Sequence, residues 1–241
     1  MATKKTITVN GETWYKSIYT TDYSPVYISD YMSGKMEGIP AISTSCLLNP
    51  FCRARAKDPN SICAHCYSEG TINRYSELSR HLEENTELLK KIIPAGWLPR
   101  FKKTVGIVRF EAFGDLLNVE HAINYFRIAA ANPHVQFALW TKNKGIIRRA
   151  VESVHNPVGK PANIELVYSA NKVNGPEPLP LYFDKVFVVW ESEKKCLEDG
   201  YHGINCGARA CGDCGICYLD KEIALINELK KNRGGKKNVK H

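Results

Sequence analysis

The stretch that most restricts how this chain can fold is Cys206–Cys217, read as Cys-Gly-Ala-Arg-Ala-Cys-Gly-Asp-Cys-Gly-Ile-Cys and followed by Tyr218. It sets Cys206, Cys211, Cys214 and Cys217 in one short run of small residues. Two-residue gaps let a turn bring two sulfurs onto one ion or cluster. Gly207, Gly212 and Gly215 let the backbone curl around what is held. Neighbouring cysteines at this spacing do not suit the geometry of a disulfide between them. A packed helix or strand has no use for so many glycines and thiols together, so the stretch reads as a C-terminal cysteine-rich metal-binding loop. Four thiolates suit either closed tetrahedral zinc or a 4Fe–4S cluster. The run C-x4-C-x2-C-x2-C is tighter than a zinc ribbon, whose cysteine pairs stand far apart. The spacing therefore favours iron–sulfur, with zinc as the alternative metal.

A second group is formed by Cys46, Cys52, Cys63 and Cys66, with His65 between the last two. Its gaps are uneven, and Cys63-Ala-His-Cys66-Tyr67 is the most ligand-like part. Arg53, Arg55 and Lys57 in the same loop would favour thiolates and any anionic ligand nearby. The start, Met1-Ala-Thr-Lys-Lys, carries no apolar secretory core, and no apolar run is long enough to span a bilayer. The expectation is a cytoplasmic protein without a membrane partner. In that compartment nine cysteines read as metal ligands or redox groups rather than as a disulfide framework. Cys196 has no partner at ligand spacing and reads as structural.

With 241 residues, 44% of them hydrophobic, the chain can bury one full core. Residues 1–36, polar and tyrosine-rich, read as a segment wrapping that core. Residues 37–229 read as a single α/β unit with cysteine loops at 46–66 and 206–217. Residues 230–241 read as a flexible basic tail, which holds six of the basic residues behind the formal net charge of +8.

Alternation in Thr6–Val9 predicts a strand, and Asn10-Gly11 a tight turn after it. A strand follows from Gly38 towards Cys46, then one helix over 72–93, with His81 towards solvent. Strands at 104–110, 135–141, 163–169 and 185–190 alternate with helices from Asn118 to Asn132 and from Gly145 to Val154. A last helix is expected at Leu219–Leu229. Near-continuous apolar strands between helices predict a parallel sheet covered by helices. Ligands in such folds sit beyond the carboxyl ends of the strands. The loops at 46–66, Glu111–Asp115, Thr141–Lys144 and Ser169–Asn171 all fall there.

This order, with Cys63-x-x-Cys66-Tyr67 after the first core strand and Phe113-Gly114-Asp115 after the second, resembles the radical S-adenosylmethionine enzymes. In those, a cysteine loop after the first barrel strand holds a 4Fe–4S cluster, and a glycine-rich acidic segment after the second binds the amino group of S-adenosylmethionine. The resemblance implies a partial (βα) barrel-like sheet with helices outside, and a cofactor contact at Glu111, Gly114 and Asp115. The usual C-x3-C-x2-C spacing is absent, Cys46 and Cys52 standing further away. Over a longer span, Ile42 to Tyr218, the chain is similar to the bacteriophage gene-product-88-type proteins. Cys63, Cys66 and Tyr67, then Cys211, Cys214, Cys217 and Tyr218, carry that likeness. It implies metal binding and a phage or prophage origin, hence a host-cell cytoplasm, and no particular reaction.

Two functions stay open. One is an iron–sulfur protein, a radical-SAM-like enzyme or a redox protein, with one or two 4Fe–4S clusters on the eight loop cysteines and a small-molecule ligand. The other is a zinc-stabilised nucleic-acid-binding protein using Lys142, Lys144, Arg148, Arg149 and the basic tail. No phosphate-binding glycine loop, nucleophile elbow or His-Glu-x-x-His pattern is present, which leaves hydrolase and kinase readings without support.

Overall fold

A computed structural model describes residues 5–219 and 221–230. Apart from Lys230, the basic tail expected at 230–241 lies outside the described residues. The chain opens with a hairpin of β1 (Lys5–Val9) and β2 (Glu12–Lys16). Asn10 and Gly11 turn between them, both at positive φ, the pattern that matches the twist of flanking strands. There follow β3 (Ala41–Ile42), α1 (Pro50–Ala56), α2 (Tyr67–Arg74), α3 (Ser76–Leu89), β4 (Ile107–Phe110), α4 (Val119–Ala130) and β5 (Gln136–Thr141). The chain continues through α5 (Lys144–Glu152), β6 (Ile164–Ser169), β7 (Lys185–Trp190), α6 (Glu193–Glu198), α7 (Cys211–Cys214) and β8 (Leu225–Leu229).

Strands β3 to β8 form one six-stranded sheet in sequence order, with every neighbouring pair parallel. Each crossover steps one place in the same direction, so right-handed connections put the crossing helices on one face. The packing agrees. Val108, Phe110, Phe137, Leu139, Leu166, Tyr168, Val188 and Trp190 form the main core with Leu89 of α3, Phe126 of α4, Ile147 of α5 and Cys196 of α6. Side chains alternate along a strand, so Ile107, Ala138 and Trp140 turn to the other face. There they meet Ile39, Tyr218, Cys211 and Cys217 in a smaller cluster. One face therefore carries the helices, and the other receives the C-terminal cysteine stretch. Among the described residues no helix is long and apolar enough to cross a membrane.

Three local expectations are corrected. The single helix at 72–93 is two, α2 and α3, separated at Tyr75 by an extended residue (φ −122°, ψ 92°). Apolar periodicity runs through both, yet α2 must start at Cys66 and lay Ile72 against Cys46 and Leu82. His81 does not face solvent: it is buried, stacked on Tyr27 with ring centroids 3.9 Å apart, and 3.2 Å from Glu84 through Nδ1. The expected helix at Leu219–Leu229 contains strand β8 instead. Pairing with β7 over five residues outweighs the helix-forming character of Leu225-Ile-Asn-Glu-Leu229, because strand preference depends on what the strand packs against.

The N-terminal segment reaches the core through Tyr15, Val26, Tyr27 and Ile28, all buried. Asn85 of α3 clamps it: its side chain accepts from the Tyr27 amide at 2.8 Å and donates to the carbonyls of Tyr27 and Ser43, both at 2.9 Å. Truncating Asn85 strands these buried backbone groups, each worth about 1–3 kcal/mol. We therefore expect Asn85→Ala to lower stability in urea unfolding by about 3 kcal/mol. A loss below about 1 kcal/mol would show that the clamp holds little.

Candidate functional site

At the carboxyl ends of the strands lies an open cavity of about 2840 Å³. Small-molecule pockets run to roughly 300–1,000 Å³, so this space exceeds what one compact ligand fills. Its wall includes Cys46, Cys52, Cys63, Cys66, Cys206, Cys211 and Cys217, so both cysteine groups open into one cavity. Cys214 lies beside this wall in α7. Glu111, Gly114 and Asp115 also line it. None of the nine cysteines forms a disulfide.

The first group follows β3. Cys46 is buried with Ile72 and Leu82, and Cys52, Cys66 and Phe113 pack against that cluster. The loop contains a short helix, α1, that the cysteine spacing did not reveal. Its signal is Asn49-Pro50: Asn49 caps it by accepting from the Phe51 amide, and Pro50 fits the first turn. Cys66 is the N-cap of α2. Its sulfur accepts a hydrogen bond from Cys46 and lies at the amides of Ser68 and Glu69, which draw its thiol down to about 5. Cys46, the donor in that bond and buried, is pushed far up. The pair thus holds one proton between two sulfurs. Burial also raises Cys52, aided by Asp115 and Glu111, and raises Cys63 against the pull of Lys142.

The second group is pinned to the sheet edge. The Cys206 amide donates to the Asn227 carbonyl of β8 at 2.9 Å. Lys35 reaches across to the Cys206 carbonyl and to Glu228, both at 3.2 Å, and stands 3.8 Å from the Cys206 sulfur. Burial lifts Cys206 to about 11 and Cys217 to about 12, the latter opposed by Arg109. Gly215 ends α7 in the left-handed region at φ 67°, returning its amide to the Cys211 carbonyl at 3.0 Å.

The acidic loop after β4 is held by its own carboxylates. Glu111, at φ 55°, receives the Thr44 amide (3.3 Å), the Thr44 hydroxyl (3.1 Å) and the Tyr125 hydroxyl (2.6 Å). His121 Nε2 stands 3.3 Å from the same carboxylate. The Leu117 amide donates to His121 Nδ1, so the neutral ring carries its proton on Nε2, facing Glu111. Asp115 receives the Thr141 hydroxyl, the amides of Leu116 and Lys142, and the Asn143 side chain, and so ties the β4 loop to the β5 loop. Burial raises its pKa while these donors oppose the rise. Between the two acids, a Cβ on Gly114 would stand 2.6 Å from the Thr44 carbonyl and 2.7 Å from Glu111 Oε2. Both carboxylates are thus occupied in holding loops.

Two cations stand in the cavity wall: Arg109, which the sequence did not single out, and Lys142, which it assigned to nucleic acid. Arg109 lies face-on to Trp140, its guanidinium 3.0 Å from the ring centroid. Lys142 turns inward to Ser169 and Ala170, with its ammonium 2.7 Å from the Ser169 hydroxyl. A lone charge alternating with apolar residues in Ile107–Phe110 was the available signal for Arg109. Of the basic residues assigned to nucleic acid, Lys142 faces the cavity, while Lys144 pairs with Glu177 and Arg148 with Glu152 at the surface.

The donor set fits a thiolate-bound metal or cluster, since the cavity offers cysteines and its carboxylates are bonded elsewhere. Among the described residues no three or more histidine, cysteine, aspartate or glutamate side chains stand together as a formed metal site. Fold and site together define an α/β protein with a thiol-lined cavity at the carboxyl rim of a singly wound parallel sheet. A family model, gene product 88, matches residues 3–236. The chain belongs to that phage-type family. Neither a curated protein nor a solved structure matches it.

Two outcomes follow from this geometry. Gly114→Ala should lower stability by about 1–3 kcal/mol in denaturant melts, the usual cost of overpacking, and an unchanged midpoint would contradict the close approach. The folded Cys66 thiol releases its proton near about 5, whereas an ordinary thiol keeps it to 9.0. The unfolded chain therefore binds more protons across that window, and metal-free protein gains stability as pH rises through it. Urea midpoints measured across it should climb, and should flatten in Cys66→Ser. A climb unchanged by that substitution would assign the effect elsewhere.

Proposed function

We propose that this chain is an iron–sulfur protein whose two cysteine groups serve one cavity that also admits a small molecule. The observation that carries the reading is that Cys46, Cys52, Cys63 and Cys66 line the same cavity as Cys206, Cys211 and Cys217. Cys46, Cys52, Cys63 and Cys66 would hold one group, and Cys206, Cys211, Cys214 and Cys217 a second. When bound, such a cluster supplies one-electron chemistry and, at an iron not held by cysteine, a position for a ligand. A redox protein and a radical-SAM-like enzyme on a partial barrel are the two forms of this reading.

The chain's own residues divide the remaining work. Lys35, Arg109 and Lys142 offset the negative charge that several thiolates would gather. Cys66 is the thiol most ready to ligate, because the hydrogen bond from Cys46 and the amides of Glu69 and Ser68 favour its thiolate. The other thiols must give up protons on binding, so loading should favour higher pH. In the radical-SAM-like form, Glu111, Gly114 and Asp115 would keep the loop rigid beside the ligand, Gly114 by letting Thr44 and Glu111 close over it.

The test is protein purified without oxygen, assayed for iron, acid-labile sulfide and zinc. We expect a brown protein with iron and sulfide in matching amounts. Cys63→Ala with Cys66→Ala should remove the iron of one group, and Cys214→Ala with Cys217→Ala that of the other. Titration with S-adenosylmethionine under electron paramagnetic resonance then separates the enzyme form from the redox form. A colourless protein with stoichiometric zinc and no iron would overturn the reading in favour of a zinc-stabilised one.

A further inference from the structure

The pattern Cys-x-x-Cys-Tyr occurs twice, at Cys63–Tyr67 and at Cys214–Tyr218. The two copies are about 150 residues apart in the chain, yet both tyrosines come to the surroundings of one side chain. Tyr218 packs with Trp140, the ring that lies under the Arg109 guanidinium, and the Tyr67 hydroxyl bonds the Ala112 carbonyl, next to the Glu111 carbonyl that Arg109 reaches. Arg109 leaves β4 on the face opposite the helices. Its guanidinium stacks on Trp140 of β5, and it donates through Nε to the Phe110 carbonyl at 3.0 Å and through Nη2 to the Glu111 carbonyl at 3.3 Å. These contacts fix the plane of the group, but both acceptors are neutral. Among the described residues no carboxylate forms an ion pair with Arg109. A half-buried cation so placed is stabilised by nearby anions and is costly without them.

Burial disfavours the charge on Arg109, while the nearby Tyr218, Tyr67, Cys217 and Cys211 favour it. Cys211, Cys217 and Tyr218 pack with Trp140, the ring that carries the guanidinium. Tyr67 approaches from the other loop, where its hydroxyl donates to the Ala112 carbonyl. The Tyr218 hydroxyl is buried without a hydrogen-bond partner among the described residues. The anions this arrangement can supply are thiolates, and metal binding is what creates them at neutral pH.

We propose that Arg109 is the shared counter-ion of the two Cys-x-x-Cys-Tyr motifs, balancing thiolate charge at Cys211 and Cys217 directly and meeting the first motif through Tyr67, so that metal loading of the two is coupled. The inference rests on the metal-binding reading above. It makes Arg109 a positioning and charge-balancing residue rather than a ligand.

The test uses the full chain with zinc as the probe, its affinity read by chelator competition, and cobalt substitution to report thiolate coordination by absorption. Arg109→Gln should weaken zinc binding at the C-terminal motif about 10–100-fold, the usual effect of losing a partner of a metal ligand. Arg109→Lys keeps the charge and loses the planar stack, and it should restore most of the affinity. Removing the first motif by Cys63→Ala with Cys66→Ala should change affinity at the second only when Arg109 is present. Circular dichroism of each variant controls for folding. Equal affinity in wild type and Arg109→Gln would overturn the proposal, as would equal losses in the Gln and Lys variants, which would assign the effect to packing on Trp140. A wild-type chain that takes up no metal would overturn the metal-binding reading itself and the counter-ion with it.

Discussion

Leu225–Leu229 pairs with Val186–Trp190 residue for residue, and that ladder is what returns the C-terminal cysteine stretch to the sheet. Without it, residues 200–219 would be a long excursion ending beyond the last covered strand. With it, Asn227 becomes a junction: its carbonyl accepts the Cys206 amide, its side chain donates to the Gly203 carbonyl, and the Trp190 indole donates to its side chain. Glu228, the next residue, fixes Lys35 beside Cys206. The strand therefore holds Cys206 at the sheet edge and places Cys211 and Cys217 against the open face of a sheet whose opposite face is filled by helices. The first cysteine group needs no such device, because it begins where β3 ends.

Charge decides how this rim can be occupied. Two buried carboxylates, Glu111 and Asp115, are stabilised by amides and hydroxyls from the neighbouring loops and so act as ties. The thiols are treated differently. Burial holds most of them protonated, and only Cys66 meets helix amides that favour its anion. The cavity also carries Arg109 and Lys142 within its wall. Protonated thiols beside half-buried cations describe a site that gains a balanced charge once several sulfurs ionise together, as they do on binding a metal.

Much of the framework was legible because its signals are local. Asn10-Gly11 announced the hairpin, apolar runs announced β4 to β7, and Asn118 announced the start of α4. The cysteine spacings identified the thiol groups. The rest depends on tertiary pairing. Leu225-Ile-Asn-Glu-Leu229 is helix-like in composition and becomes a strand only because β7 lies open beside it. His81, amid charged neighbours, is drawn inward by a tyrosine from a segment more than fifty residues earlier. Arg109 looked like the end of a strand, and its meaning comes from Trp140 on the next strand and from two tyrosines in distant loops. That both cysteine groups open into one cavity follows from strand order, which no spacing within either group encodes.

The central claim is that the two groups share one cavity as metal-bearing sites. The most direct measurement is anomalous X-ray scattering at the iron and zinc edges from crystals of protein prepared without oxygen. The account predicts metal inside the rim cavity, at Cys46–Cys66 and at Cys206–Cys217, with the Arg109 side chain between the two positions. Metal bound only outside that cavity, or cysteine groups that face apart in the loaded protein, would contradict it.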